Sequence, residues 1–371
     1  VPAVAAAGRP YRAALMLAGL GGATITAFGL FAIRGFFAPV FLALILTICV
    51  HPLRRALERR GTPSGIATGT VIAAVFILLA AFVTALVVAF AQFATLLPQY
   101  APQIDAIGQR IGDALSAAGL DQKQIQAVVA DFDPSRLVAF AGEILGSVTN
   151  ITFGLVIILT TLILMAMDAT FIPALFRQVE AERPAMVTAL RSFAVGVRKY
   201  MIATTGLGVA QGVLNWVALL ILGVPGALLW GLLAFLCSFI PNIGYFIAII
   251  PPLVFGYFTG GWGTVIAIVL VYGVINAVVQ SIIQPRIVGN AVALSQTITF
   301  VSVLFWAVVI GPIGAILAIP LTLLVRTLLI DSDPAARWWR PVIGDFSETK
   351  VLMKTDSEQA RQRRQERHPS S

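Results

Sequence analysis

The sequence predicts an all-α integral membrane protein, a multi-span helical bundle with a small extra-membrane helical segment, and three observations carry that prediction. Of 371 residues, 58% are hydrophobic and 11% are charged, with a mean hydropathy of +0.92, whereas a soluble domain carries about a quarter charged residues. The apolar residues fall in blocks, many near or beyond the ~20 residues that take a helix across a hydrocarbon core. Most blocks lack the polar stripe of a soluble amphipathic helix. The alternating segments of about ten residues that mark a transmembrane barrel are absent.

Taken in order, residues 1–97 hold three spans. Ala13–Ile33 follows Arg9 and Arg12 and is long enough to read as a retained span rather than a leader. Phe36–Val50 is a shorter second span, and a basic loop with Arg54, Arg55, Arg59 and Arg60 separates it from Gly65–Leu97. The third span exceeds what a bilayer requires, so its end, around Gln92, is expected to project into water. Residues 98–150 are the one sizeable polar stretch between spans. Ile104, Ile107, Ile111 and Leu115 recur at helical spacing there, and Pro134 opens a second pattern through Leu137, Phe140 and Ile144. Residues 151–199 combine a fourth span, Ile151–Met167, with a basic amphipathic segment carrying Arg177, Arg183, Arg191, Arg198 and Lys199. Residues 200–330 contain two full-length spans, Tyr200–Leu222 and Thr264–Ile283, each followed by an interrupted apolar segment. Residues 331–371 form a charged tail, disordered by composition from Gln359 onward.

The net charge is +8. Most of the excess flanks spans, where cytoplasmic loops collect Lys and Arg, and no aromatic-interleaved basic patch points to nucleic acid. The basic loop, the segment after span four and the tail are therefore assigned to the cytoplasm. Both termini are then inside, and the acidic 98–150 segment faces outward. Cys49 and Cys237 lie in separate apolar runs and read as small buried hydrophobes.

The interruptions in the 200–330 region resemble each other. Pro225–Phe258 is broken by Pro241, Asn242, Ile243 and Gly244, and again by Pro251-Pro252. Ile298–Ile330 is broken by Gly311, Pro312, Ile313 and Gly314, and again by Pro320. This is the pattern of an inverted repeat with two discontinuous hairpins, which in secondary transporters marks the binding site. Gly and Pro leave backbone groups free at membrane depth, which is tolerated only where protein or water satisfies them. The plainer alternative is two pairs of ordinary short helices joined by Pro-Gly turns.

Polar residues inside the spans add a second pointer. Gln211 and Asn215 stand one turn apart, and Asn276, Gln280 and Gln284 follow at four-residue intervals up to Pro285. Amides in lipid require partners, either across a helix interface or in a wet pathway. The only ionised residues from Tyr200 to Ile330 are Arg286 and Arg326. Arg326 is expected to snorkel to the cytoplasmic interface. Arg286 fits a headgroup, an anionic substrate or freed carbonyls. No acid or His lies in this half to relay protons. No enzyme site can be assembled, since the two histidines, His51 and His368, lie outside it and HExxH is absent. No cofactor or metal is implied.

Four strings in order resemble the C-terminal half of the AI-2E (autoinducer-2 exporter-like) permease family. They begin at Leu222 (LGVPGALLWG), Phe239 (FIPNIG), Gln284 (QPRIVGN) and Gly311 (GPIGAILAIPL). Many members carry an acid shortly before the Pro-Arg-x-x-Gly string; Asn276–Gln284 has none, which argues against cation exchange. The resemblance implies a permease of the bacterial inner membrane for a small polar metabolite or signal, with autoinducer-2 as one candidate. Its pathway would run along the residues singled out above. The alternatives are a sodium/proton exchanger and a membrane scaffold acting through the 98–150 helices. Lipid and a small-molecule substrate are the expected partners, and homo-oligomerisation stays open.

Overall fold

The computed structural model describes residues 9–117, 148–288, 294–344 and 353, and every regular element among them is a helix. Four helices are long and apolar enough to cross a bilayer, and a fifth crossing is added if one bent pair counts as a span.

Helix α1 (Arg9–Ala32) leads through Ile33 into α2 (Arg34–Arg59). The second span is longer than expected, because Arg54, Arg55 and Arg59 are its last turns rather than a loop. Arginine is a good helix former, and a basic C-terminal turn complements the helix dipole. Arg54 also pairs with Glu58 one turn on, at 2.9 Å. Helix α3 (Ser64–Leu96) follows after Gly61, which takes φ 90°. Its end, expected to project into water, is anchored to other helices on one side. Phe93 is buried, with its ring centroid 4.9 Å from Trp230 and 4.8 Å from Phe255. Helix α4 (Ala101–Ala117) covers the first amphipathic pattern, while the second, through Leu137, Phe140 and Ile144, lies outside the described residues.

The fourth span is α5 (Val148–Asp168), and a bend of 67° turns the chain into α6 (Ile172–Glu182). The basic segment and the fifth span, expected as separate elements, are one helix of 38 residues, α7 (Pro184–Ile221). No proline interrupts it after its first residue, and Arg191, Arg198 and Lys199 all favour helix. Two of these arginines anchor it. Arg191 holds Glu180 through two bonds of 3.0 and 2.9 Å, and the Arg198 Nε donates to the Ile48 carbonyl of α2 at 2.9 Å. That carbonyl is free because Pro52, one turn on, has no N–H to give it.

A tight turn joins α7 to α8 (Ala227–Cys237), with Gly223 at φ 66° and Gly226 at φ 71°. The Trp230 indole closes it by donating to the Pro225 carbonyl at 2.9 Å. After the turn at residues 238–243 comes α9 (Gly244–Asn276), which continues as a π-helix over Ala277–Ile283 and ends in the short α10 (Gln284–Val288). Pro251-Pro252 was expected to break this segment and does not, since both sit inside α9. A membrane helix tolerates proline where its neighbours take up the freed groups, and α8 packs alongside. The break falls instead at Gly260 and Gly261, the latter at φ 61° and ψ −153°, a conformation open to glycine.

The last unit is α11 (Gln296–Ile310), α12 (Pro312–Ile316) and α13 (Ala318–Arg326), followed by a π turn over Thr327–Asp331. Gly311, at φ 95°, makes the sharp bend before Pro312. The second break expected near Pro320 falls at Leu317, between α12 and α13, and Pro320 sits in the first turn of α13, where its missing N–H is not needed. The start of the tail is folded, as a 3-10 segment Pro334–Trp339 and α14 (Arg340–Ile343).

Arg326 was expected to snorkel and instead is buried, 3.2 Å from Asp331. The π turn brings the carboxylate five residues on back over the guanidinium. Asp331 also accepts from Arg340 at 2.8 Å, so one carboxylate ties the end of the apolar region to the tail. Asp331→Asn is expected to lower stability by about 1–3 kcal/mol, because it removes a counter-charge held 3.2 Å from a shielded cation. Thermal unfolding in detergent measures this, and an unchanged midpoint would show that the clamp is idle.

Helix α7 is the hub of the fold. It packs most extensively against α8 and also touches α2, α6, α9, α10, α13 and the π turn after it. The contact with α8 is backbone-close. A Cβ on Gly212 would come within 2.8 Å of the Gly231 carbonyl, and one on Gly231 within 2.7 Å of the Trp216 Cβ. Small residues at helix crossings permit this approach in membrane proteins.

Candidate functional site

Both interrupted segments fold into helix–turn–helix hairpins, α8 with the first half of α9, and α11 with α12 and α13. Pro241, Asn242, Ile243 and Gly244 form the tip of the first, and Gly311, Pro312, Ile313 and Gly314 that of the second. Asn242 sits at φ 66°, the only non-glycine with a positive φ among the described residues, and asparagine tolerates that region. Asn242 and Pro312 are exposed, whereas Gly244, Gly314 and Pro320 are buried. The two tip glycines make equivalent contacts. A Cβ on Gly244 would overlap the Cys237 carbonyl, and one on Gly314 the Trp306 carbonyl, each near the end of the preceding helix.

One core cluster takes in both tips. Phe239, Ile240 and Ile243 of the first pack into it, as do Ile310, Ala315 and Leu317 of the second, against Tyr200, Met201 and Ala203 of α7. The chain thus brings two turns that are seventy positions apart in sequence into one cluster that includes residues of α7.

The polar residues lie along α7 and the second half of α9, where Tyr272 packs in a separate cluster with Leu219, Trp230 and Ile268. On α7, Gln211 and Asn215 are buried, 5% and 1% exposed. The same face carries Tyr200 and Thr204, also buried, which the sequence reading did not single out. They lie eleven and seven positions before Gln211, so extending the helical period N-terminally would have found them. On α9, Tyr272 lies one turn before Asn276 and is buried, and it too was missed. Asn276, Gln280 and Gln284 are half-buried and Arg286 is exposed. The stripe does not run down a regular α-helix, because Gln280 stands inside the π-helix, whose wider turn re-aims side chains. Its far end, the α10 turn with Gln284, Pro285 and Arg286, packs onto α7.

The oxygens of this set buried without a hydrogen-bond partner among the described residues include Asn215 Oδ1, Asn276 Oδ1 and the Tyr272 hydroxyl. An unmet buried acceptor or hydroxyl costs about 1–3 kcal/mol, so such atoms gather where a water or ligand completes them. A groove of about 600 Å³ opens elsewhere, between α2, α3 and α5, and its walls are almost wholly apolar. Its few polar lining residues, Arg54, Ser64, Thr68 and Thr170, give a small polar solute little to bond to, and the candidate site is therefore placed at the tips and amides.

Comparison with known proteins agrees with the resemblance of the four strings. The family model described as AI-2E family transporter matches residues 15–332. The chain is 29% identical over 294 residues to the AI-2 transport protein TqsA of Escherichia coli K12, covering 78% of this chain and 84% of that protein. It is 26% identical over 294 residues to the "Putative transport protein YhhT" of the same strain, over 79% of this chain and 84% of the relative. A "Putative transport protein" of Haemophilus influenzae Rd is 28% identical over 324 residues, covering 84% of this chain and 91% of its own length. With most of its length matched by the family model and a bundle of apolar helices to match, the chain belongs to the AI-2E family of membrane transporters.

Proposed function

We propose that the chain is a permease of the bacterial inner membrane for a small polar metabolite or signal, recognised where the two hairpin tips meet α7. The observation that carries this reading is the packing of both tips into one cluster with α7, which together with α9 also holds buried, uncompleted polar oxygens. A hydroxyl-rich solute supplies the missing donors and acceptors. The name of TqsA makes autoinducer-2 the first compound to test. Residues 200–330 then act as two span-plus-hairpin repeats of opposite orientation, the arrangement from which alternating access is built. The experiment is counterflow exchange in proteoliposomes against a panel of small polyols, sugars and autoinducer-2. Exchange of at least one compound above protein-free vesicles is expected, and none across a broad panel would favour a scaffold.

The same proposal places both termini in the cytoplasm. After removal of Cys49 and Cys237, a cysteine at Asp121 should react with an impermeant thiol reagent in intact cells, and one at Ser357 should not. The opposite pattern would invert the sidedness of both hairpins.

A further inference from the structure

The groove between α2, α3 and α5 lies apart from the proposed transport site and carries its own chemistry. Gly65, Gly69 and Phe76 of α3, Ile163 and Met167 of α5, and Arg54 of α2 line its volume of about 600 Å³. It exists because α3 presents small residues on that face: a Cβ on Gly65 or Gly69 would find no atom within 4 Å. Along α3 the lining runs from Ser64 to Phe76, about 18 Å of helix at ~1.5 Å per residue. That matches one leaflet, half of a hydrocarbon core ~30 Å thick.

The charge at the mouth is predominantly basic, although Asp168 is exposed beside the lining residue Met167. Arg54 reaches the groove, Arg55, Arg59 and Arg60 are exposed on the same end of α2 and its cap, and Arg198 of α7 stands near His51 one turn below. Glu58, held by Arg54, is the one acid on this stretch of α2. A cleft that is apolar for one leaflet and basic at the interface complements a single kind of membrane component.

We infer that this groove is a site for an anionic phospholipid, one acyl chain lying along Gly65 and Gly69 and the phosphate meeting Arg54 and Arg55. A second copy of the chain fits less well. A two-fold axis along the membrane normal sets residues of equal depth against each other, so the two arginine clusters would face one another. A helix partner would also use the full thickness of the core rather than one leaflet.

The test is native mass spectrometry of the delipidated full-length protein with phosphatidylglycerol and, separately, phosphatidylcholine of the same chains. The intact protein is expected to retain one phosphatidylglycerol in preference to phosphatidylcholine. Removing charge by Arg55→Gln should weaken phosphatidylglycerol about fivefold, the equivalent of ~1 kcal/mol per basic residue at a membrane surface, and leave phosphatidylcholine unchanged. Gly69→Leu fills open space on a helix, so the protein should stay folded and yet lose the retained lipid of both types. Equal retention of phosphatidylglycerol by Gly69→Leu, or no preference between the two lipids in the unaltered protein, overturns the inference. So does efficient disulfide dimerisation through Gly69→Cys in a variant without the native cysteines, which would make this face a contact between copies.

Discussion

Gly244→Ala and Gly314→Ala are each expected to reduce transport by more than about tenfold and to lower stability by ~3 kcal/mol or more. A single added carbon at either position meets a backbone carbonyl, that of Cys237 or of Trp306, and not the end of a side chain that could swing away. Overpacking against movable side chains costs about 1–3 kcal/mol; a helix backbone gives less, so the hairpin itself must open. Gly206→Ala serves as the control, since its Cβ would find nothing within 4 Å and it lies inside α7. There alanine should be neutral or stabilise by up to ~1 kcal/mol through helix propensity. Uptake in proteoliposomes and thermal unfolding in detergent, measured on the same preparations, read both quantities. Wild-type behaviour of both tip variants would mean that the turns are not closed by these contacts.

Asn215→Leu is expected to separate the two quantities that the glycine variants change together. The side chain is 1% exposed and its oxygen has no partner among the described residues. Replacing an uncompleted buried amide with an apolar group regains part of a penalty of about 1–3 kcal/mol, offset by the larger volume of leucine. The melting temperature should therefore hold or rise. Transport should fall at least about tenfold, because a polar substrate then loses its partner in a dry site. Gln280→Leu should act in the same direction from α9, since an interhelical hydrogen bond in a membrane averages only ~0.6 kcal/mol and its loss alone would not disturb the fold. If both leucine variants transport at the wild-type rate and normal abundance, the amides serve helix packing and the site lies elsewhere.

Elements that depend on composition and on strong local conformers were legible in the sequence. The bundle of spans followed from long apolar blocks, and the hairpin tips from Pro241-Asn242 and Gly311-Pro312, where residue type restricts the backbone. What depends on tertiary partners was not. Nothing local to Arg198 announces that it serves the carbonyl freed by Pro52, 146 positions away, and so joins α7 to α2. Proline read as a break at positions 251 and 252, yet neighbouring helices override that preference, whereas the modest Gly260-Gly261 pair does turn the chain. Arg326 looked like an interfacial anchor because a period of 3.6 puts Asp331 off its face; the π turn removes that separation. Of the candidate residues, the buried amides on α7 were found by spacing. Their neighbours Tyr200, Thr204 and Tyr272 were passed over because aromatic and hydroxyl side chains are unremarkable in a membrane helix until the burial of their polar atoms is known.

The length of α7 has a mechanical consequence. Its 38 residues make a rod of about 57 Å at ~1.5 Å per residue, while the hydrocarbon core takes up only ~30 Å of it. The remainder, about 25 Å, stands outside as an arm, gripped by Glu180 through Arg191 and by α2 through Arg198. A tilt of ~10° about the membrane-embedded part moves the far end of such an arm by ~4 Å, the scale of nearly one helical turn. If the proposed alternating access rocks the hairpins against α7, that motion is geared to displacement of the arm, and a ligand or partner that clamps the arm would gain leverage over the pathway without touching it.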